Sequence, residues 1–213
     1  MTKKIPHCWR RLVPSLASPN ELLSLELQGL GNHLAVQKLV KVVQAKAPFI
    51  VFLAETLADE ARLDYVKDHI QFDKKFFLQR VNNGGALVLY WKDSMEIDTE
   101  SLSLNHMVAI VKKNSGEPWH FIGLFGEPET HKRQESWDLL RRLHGQNSLP
   151  LLCARDFNEI IKQSKKLVGR LRPYGQMQIF RDALDECELM DFGFKGFPYT
   201  WSKHYKNGVS IWE

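Results

Sequence analysis

The side chains best suited to chemistry stand together at 155–159, which reads Arg-Asp-Phe-Asn-Glu. A carboxylate beside a neutral amide, as in Asp156 and Asn158, suits a hard cation or a base that orients a water. The spacing of two matters. On an extended backbone such side chains point the same way, so Asp156 and Asn158 converge while Phe157 turns back into the core. On these residues alone, however, Asp-x-Asn reads better as a loop cap. A second acid, Glu55, ends the apolar run 49–53 as Asp156 ends 151–154. Two strands that aim carboxylates at one edge say more than a single solvated acid does.

The elements that must position these groups are readable from period and punctuation. Leu149 and 151–154 form a short continuous apolar run, the pattern of a buried strand that delivers its last residues to a sheet edge. Residues 22–28 alternate Leu23, Leu25 and Leu27 with Ser24, Glu26 and Gln28, a half-buried strand. Asn32 is placed to cap a helix through Val36, Leu39, Val40 and Val43, which Pro48 stops. A short helix is expected over 58–68. Strands 76–81 and 86–91 flank Asn82-Asn83-Gly84-Gly85, a hairpin signal. Further short strands are expected at 95–98, 106–111 and 119–125, and His106 beside its strand reads as structural. Helices follow at 130–144, with Trp137, Leu140 and Leu143 or His144 on one face, and at 176–186, through Met177, Phe180 and Leu184. Two last strands, 199–201 and 209–212, flank Lys206-Asn207-Gly208. This mixture fits an α/β sandwich of two packed, largely antiparallel sheets covered by helices.

With 213 residues and 44% hydrophobic content the chain can bury one large core. The expected division is a single domain over 21–213 after a basic extension, 1–20. That extension carries Lys3, Lys4, Arg10 and Arg11, no acid and three prolines. It reads as disordered; a transit peptide is the competing reading, against which its scarcity of serine counts. No apolar stretch approaches a membrane span. Cys8, Cys153 and Cys187 lack metal spacing, and the last two read as core thiols of a reducing compartment. A net charge of +4 mildly favours a polyanionic partner. The clearest basic concentration is Lys162, Lys165, Lys166, Arg170 and Arg172, with no acid among them. Such a loop can follow a nucleic-acid backbone, and reads equally well as an ordinary solvated loop. Nothing points to a protein partner.

Several segments together resemble the endonuclease/exonuclease/phosphatase superfamily, and within it the endonuclease domain of plant LINE-type (non-LTR) retrotransposon polyproteins. They are Gln28-Gly29-Leu30-Gly31-Asn32, Phe52-Leu53-Ala54-Glu55-Thr56, Gly84-Gly85-Ala86-Leu87, Gly123-Leu124-Phe125-Gly126-Glu127-Pro128, Glu135-Ser136-Trp137, Asp156-Phe157-Asn158-Glu159 and Tyr199-Thr200-Trp201-Ser202. The resemblance implies a four-layer α/β sandwich that hydrolyses DNA phosphodiester bonds with Mg²⁺ or Mn²⁺, in an intracellular, nuclear setting. It makes Glu55 and Asp156 metal ligands, and Asp156, Asn158 and Thr200 site residues. The basic loop from Lys162 to Arg172 becomes a DNA contact.

Four positions depart from the resemblance. Glu26 stands where the family has Asn, Phe125 where it has Tyr, Arg155 where it has Gly, and Leu57 where it has Lys. Arg155 is expected to pair with Asp156 or Glu55 as a site cation, taking part of the metal's place. Relatives also continue past Glu213 with Arg-Leu-Asp-Arg and a Ser-Asp-His strand, so the sandwich is expected to lack its last strands. An impaired or inactive nuclease is the expectation; a non-catalytic remnant with weak nucleic-acid binding is the alternative.

Overall fold

Apolar runs and alternations resolve into two sheets that face each other. A computed structural model describes residues 7–11, 22–27, 30–79, 85–103, 106–113, 116–125, 127, 129–146, 148–155, 157–191, 202–204 and 210–212. Only the backbone is described for Glu26, Ser101, Leu102, Arg155 and the strands at 7–11, 202–204 and 210–212. The chain opens with β1 (His7–Arg11) and β2 (Leu22–Glu26), then helix α1 (His33–Lys46), β3 (Ile50–Thr56) and α2 (Glu60–His69). Five strands follow: β4 (Lys74–Gln79), β5 (Ala86–Trp91), β6 (Met95–Ser103), β7 (His106–Lys113) and β8 (Trp119–Leu124). Helix α3 (Arg133–His144), β9 (Leu151–Arg155), α4 (Tyr174–Glu186) and β10 (Leu189–Asp191) come next, and the short pair β11 (Ser202–His204) and β12 (Ser210–Trp212) ends the described chain.

One sheet has the order β2-β3-β5-β4 and the other β10-β1-β9-β8-β7-β6. Among the described strands of these sheets, β2–β3 and β8–β9 pair in parallel and the other neighbours are antiparallel. Strand β3 shows why its sequence reads as one apolar run. Val51 and Leu53 pack under α1 and α2, while Ile50, Phe52 and Ala54 pack against the opposite sheet. Strand β9 is likewise buried on both faces. Leu151 and Cys153 lie under α3 and α4, and Ala154 lies between the sheets. The layers are therefore helix, sheet, sheet, helix, as expected. The sheets meet closely at Gly123, where a Cβ would lie 2.7 Å from the Phe52 ring. Burial raises the Cys187 thiol to about 11, so that cysteine is an inert part of the core. Among the described residues, no helix is long and apolar enough to cross a membrane.

Most boundaries follow the sequence. Asn32 caps α1, its side-chain oxygen accepting the Leu34 N–H at 2.9 Å. Helix α2 starts two residues late, at Glu60, because Asp59 caps it by accepting the Arg62 N–H at 2.8 Å. Strand β6 runs five residues past its expected end. Its exposed Glu96, Asp98 and Glu100 hide the apolar period, as befits an edge strand kept from aggregating by charge. The expected disorder of 1–20 is corrected at His7–Arg11, which forms a strand between β9 and β10. Its ladder bonds come from two partners, so the polar sequence did not need an apolar period to be held. The last strand pair forms with β11 at Ser202–His204; residues 199–201 and 205–209 lie outside the described ones.

Candidate active site

Three strands bring their C-terminal ends to one end of the sandwich. The Phe52 ring of β3 meets the Phe121 ring of β8 edge-on, with centroids 5.2 Å apart. Gly123 of β8 is in register with Ala154 of β9. Ala54, Phe125 and Ala154 then share the core between the sheets. The residues that follow, Glu55 and Arg155, therefore lie in their strands at the same end as Phe125. On the neighbouring strand β2, Glu26 is in register with Ala54, which puts its backbone beside Glu55.

Glu55 is held by backbone geometry. The β3–β5 register shifts between Leu53 and Thr56, and within this bulge Glu55 has φ +57°. Bulges re-aim side chains, and a non-glycine residue in the left-handed region stores strain that its surroundings must hold. The holding surface is Gly85, itself at φ +79°, whose missing Cβ would lie 2.9 Å from the Glu55 backbone. Beyond the bulge, the buried Thr56 hydroxyl donates to the Ala86 carbonyl at 3.3 Å. Glu55 itself is half-buried.

Asn158 is also left-handed, at φ +52°, and is fixed from both sides by its neighbours. Phe157 is buried against Trp137 and Phe180, with centroids at 5.7 and 5.0 Å, and those two rings stack at 4.7 Å. Glu159 is buried between two arginines. Arg133 Nη1 donates to Glu159 Oε2 at 2.8 Å. Arg172 Nε lies 3.0 Å from Oε1, close enough for an ion pair but out of line for a hydrogen bond. Oε1 also accepts the Ile160 N–H at 3.0 Å. An apolar anchor and an ionic anchor thus hold the half-buried Asn158 between them.

No family profile matches this chain, and no curated protein matches it in sequence. Its likeness to solved structures is clear. The endonuclease domain of TRAS1, a telomere-specific non-LTR retrotransposon, superposes with a TM-score of 0.61 over 89% of this chain and 83% of that one, at 11% identity. The fold is the endonuclease/exonuclease/phosphatase sandwich. A second member of that fold, the endonuclease/exonuclease/phosphatase from Bacteroides vulgatus, gives 0.50 over 65% of this chain and 64% of its own, at 14% identity.

Within this sandwich the candidate residues fall into three groups. Glu55 and Phe125 stand at the strand ends already described, and Asn158 follows the end of β9 by three residues. Phe125 is only 6% exposed, so its phenyl ring serves the core between the sheets. Glu26 and Arg155 are placed by backbone alone, and Asp156 and Thr200 lie outside the described residues, as does any pairing of Arg155 with the acids. In the basic loop, Lys162 and Arg170 are exposed, Lys166 is half-buried, and two other cations turn inward. Lys165 pairs with Asp191 at 3.0 Å and Arg172 with Glu159. For a divalent metal, Glu55 offers carboxylate oxygens at this end, which fit a hard cation. Among the described residues, no three His, Cys, Asp or Glu side chains are grouped to hold one.

Sequence reasoning gave Glu159 no role and missed Arg133. A signal was present. Arg133 precedes Trp137, Leu140 and Leu143 at helical spacing, so a cation stands on the core-facing side of α3 and requires a buried counter-charge.

Proposed function

We propose that this chain is a DNA-binding relative of the retrotransposon endonucleases, built around a divalent-metal phosphodiesterase site whose cleavage chemistry is impaired. The observation that carries the reading is Glu55, a carboxylate in a left-handed bulge, backed by a glycine and placed where β9 also ends. Strain of this kind persists where surrounding structure over-determines it, and it clusters at functional sites. In this reading Glu55 and Asp156 hold Mg²⁺ or Mn²⁺, which when bound supplies positive charge to the phosphoryl and leaving oxygens. Asn158 and Thr200 orient the phosphate and a water. Lys162, Lys165, Lys166, Arg170 and Arg172 form the basic loop, its exposed members reaching the DNA backbone and its paired members fixing its shape. The working protein is intracellular and acts on nuclear DNA.

Impairment follows from three positions. Glu26 adds a negative charge on the strand beside Glu55, which repels the phosphate. Phe125 offers no hydroxyl. Arg155, the last residue of β9, brings a cation that competes with the metal for the acids. Losing a positioned acid, base or donor costs about a hundred- to ten-thousand-fold. The burial of Phe125 favours a second reading, a non-catalytic remnant that keeps only weak nucleic-acid binding. Relaxation of supercoiled plasmid with Mg²⁺ or Mn²⁺ separates the two, against an Asp156→Ala control. Slow nicking above the control supports the impaired enzyme, and nicking equal to the control supports the remnant. Robust nicking that Asp156→Ala abolishes would overturn impairment, and a chain that binds no DNA would overturn both.

A further inference from the structure

The loop after Asn158 carries more apolar surface than a solvated basic loop needs. Of the nine large apolar residues that are exposed among those described, four fall within 167–174. Leu171 and Tyr174 are each 71% exposed, Val168 52% and Leu167 47%. Val168 and Gly169 are both left-handed, at φ +67° and +90°, and form a turn that a β-branched residue seldom adopts. Such exposure is usually the mark of a chain that is loosely held, yet this one is braced along its length. Arg181 Nη1 donates to the Ile161 carbonyl at 2.6 Å, and its guanidinium lies 5.2 Å from the centre of the Tyr174 ring. Lys165 is tied to Asp191, Arg172 to Glu159, and the Arg172 N–H to Gln163 Oε1 at 3.0 Å. The exposed cations Lys162 and Arg170 flank the apolar tip, with no acid anywhere in 162–174.

We propose that 162–174 is a two-part duplex reader. Lys162 and Arg170 take phosphates, and Leu167, Val168 and Leu171 enter a groove as an apolar wedge beside the Tyr174 ring. This deepens the DNA-binding reading of the site and rests on it. A wedge between base steps unstacks them and kinks the duplex, and a stiff loop loses little conformational freedom when it inserts. Cations with apolar tips also suit an anionic membrane. Position decides for DNA, because Lys162 follows Asn158 by four residues, so the loop starts close to the end of β9, beside the candidate site.

The test is duplex binding by the full chain across a salt series, using a short mixed-sequence duplex that carries 2-aminopurine. Lys162→Ala with Arg170→Ala should lower the slope of log affinity against log salt by about two. Leu167→Ser with Leu171→Ser, and separately Tyr174→Ala, should leave the slope unchanged and weaken binding by roughly five- to a hundred-fold. The unmodified chain should brighten the 2-aminopurine, and the wedge variants should not. Melting curves of the variants that match the unmodified chain exclude misfolding, and the fluorescence of the unmodified chain needs no variant. Duplex affinity and fluorescence that the wedge variants leave unchanged would overturn the proposal. So would tip-dependent binding to phosphatidylserine vesicles, or tip-dependent self-association in sedimentation, with duplex binding intact. Failure of the unmodified chain to bind duplex at all would instead remove the DNA-binding reading on which the wedge depends.

Discussion

At the end of β3, Glu55 is turned by backbone sterics. A bulge gives it its left-handed conformation, and Gly85, just before the neighbouring strand β5, leaves the space. At the end of β9, Asn158 is turned just as far, yet the hold is made by side chains: three packed rings on one side and a carboxylate between two arginines on the other. The same local conformation is thus reached by two kinds of force. A steric hold is insensitive to salt and pH and cannot be tuned by small changes. An ionic hold transmits: Glu159 links the strand end to the start of α3 and to the basic loop, so a change in one reaches the other two.

Breaking the ionic hold should have the largest effect. Glu159→Ala leaves Arg133 buried without its counter-charge, at a cost of about 3–5 kcal/mol. In a chain of this size that is a fall of roughly ten degrees in Tm. A calorimetric scan with Tm unchanged would mean that the rings alone fix Asn158. Breaking the steric hold comes next. Gly85→Ala places a Cβ 2.9 Å from the Glu55 backbone and forces alanine to φ +79°. We expect about 2–4 kcal/mol from urea midpoints, the same at low and high salt. A loss that shrinks with salt would contradict the steric account.

A third contrast is in pH. The sheet that carries β9 holds two buried histidines, His106 and His120, and burial lowers both below the ordinary 6.5. The charge of Arg142 adds to this for His106, while Glu100 opposes it for His120. As pH falls below about 6.5 the unfolded chain takes up protons first. Stability is therefore complete above that pH and is lost toward the lower folded-state values, at no more than about 1.4 kcal/mol per pH unit for each histidine. Urea midpoints at pH 7 and 5.5 should differ, and His120→Gln should reduce the difference. The smallest effect concerns the metal. Mg²⁺ or Mn²⁺ at about ten times its Kd should stabilise the fold by roughly 1.4 kcal/mol, and Glu55→Gln should abolish the shift. Identical melts with and without metal would detach Glu55 from cation binding.

What the sequence discloses about this site follows the same division. Strand β9 is legible because both its faces are covered, which leaves an apolar run bounded by acids. The inward turn of Phe157 is legible from the period of two. The bulge at Glu55 is not, because it depends on Gly85, thirty residues later and just before another strand. Nor is the identity of the groups that meet Arg133: Glu159 and Arg172 come from separate segments, and one carboxylate comes to lie between two guanidinium groups only once the chain has folded. Strand β1 was unreadable for a third reason. Residues His7–Arg11 have no apolar alternation, and what defines them is a place between two strands that already exist.

That place has a consequence in time. Synthesis makes His7–Arg11 long before its partners Leu151–Arg155 and Leu189–Asp191. At roughly 5–20 residues per second the wait is on the order of ten seconds or more. Through that interval His7–Arg11 has no position in the sheet it will complete, and its two seams close only after the strands on either side have been made.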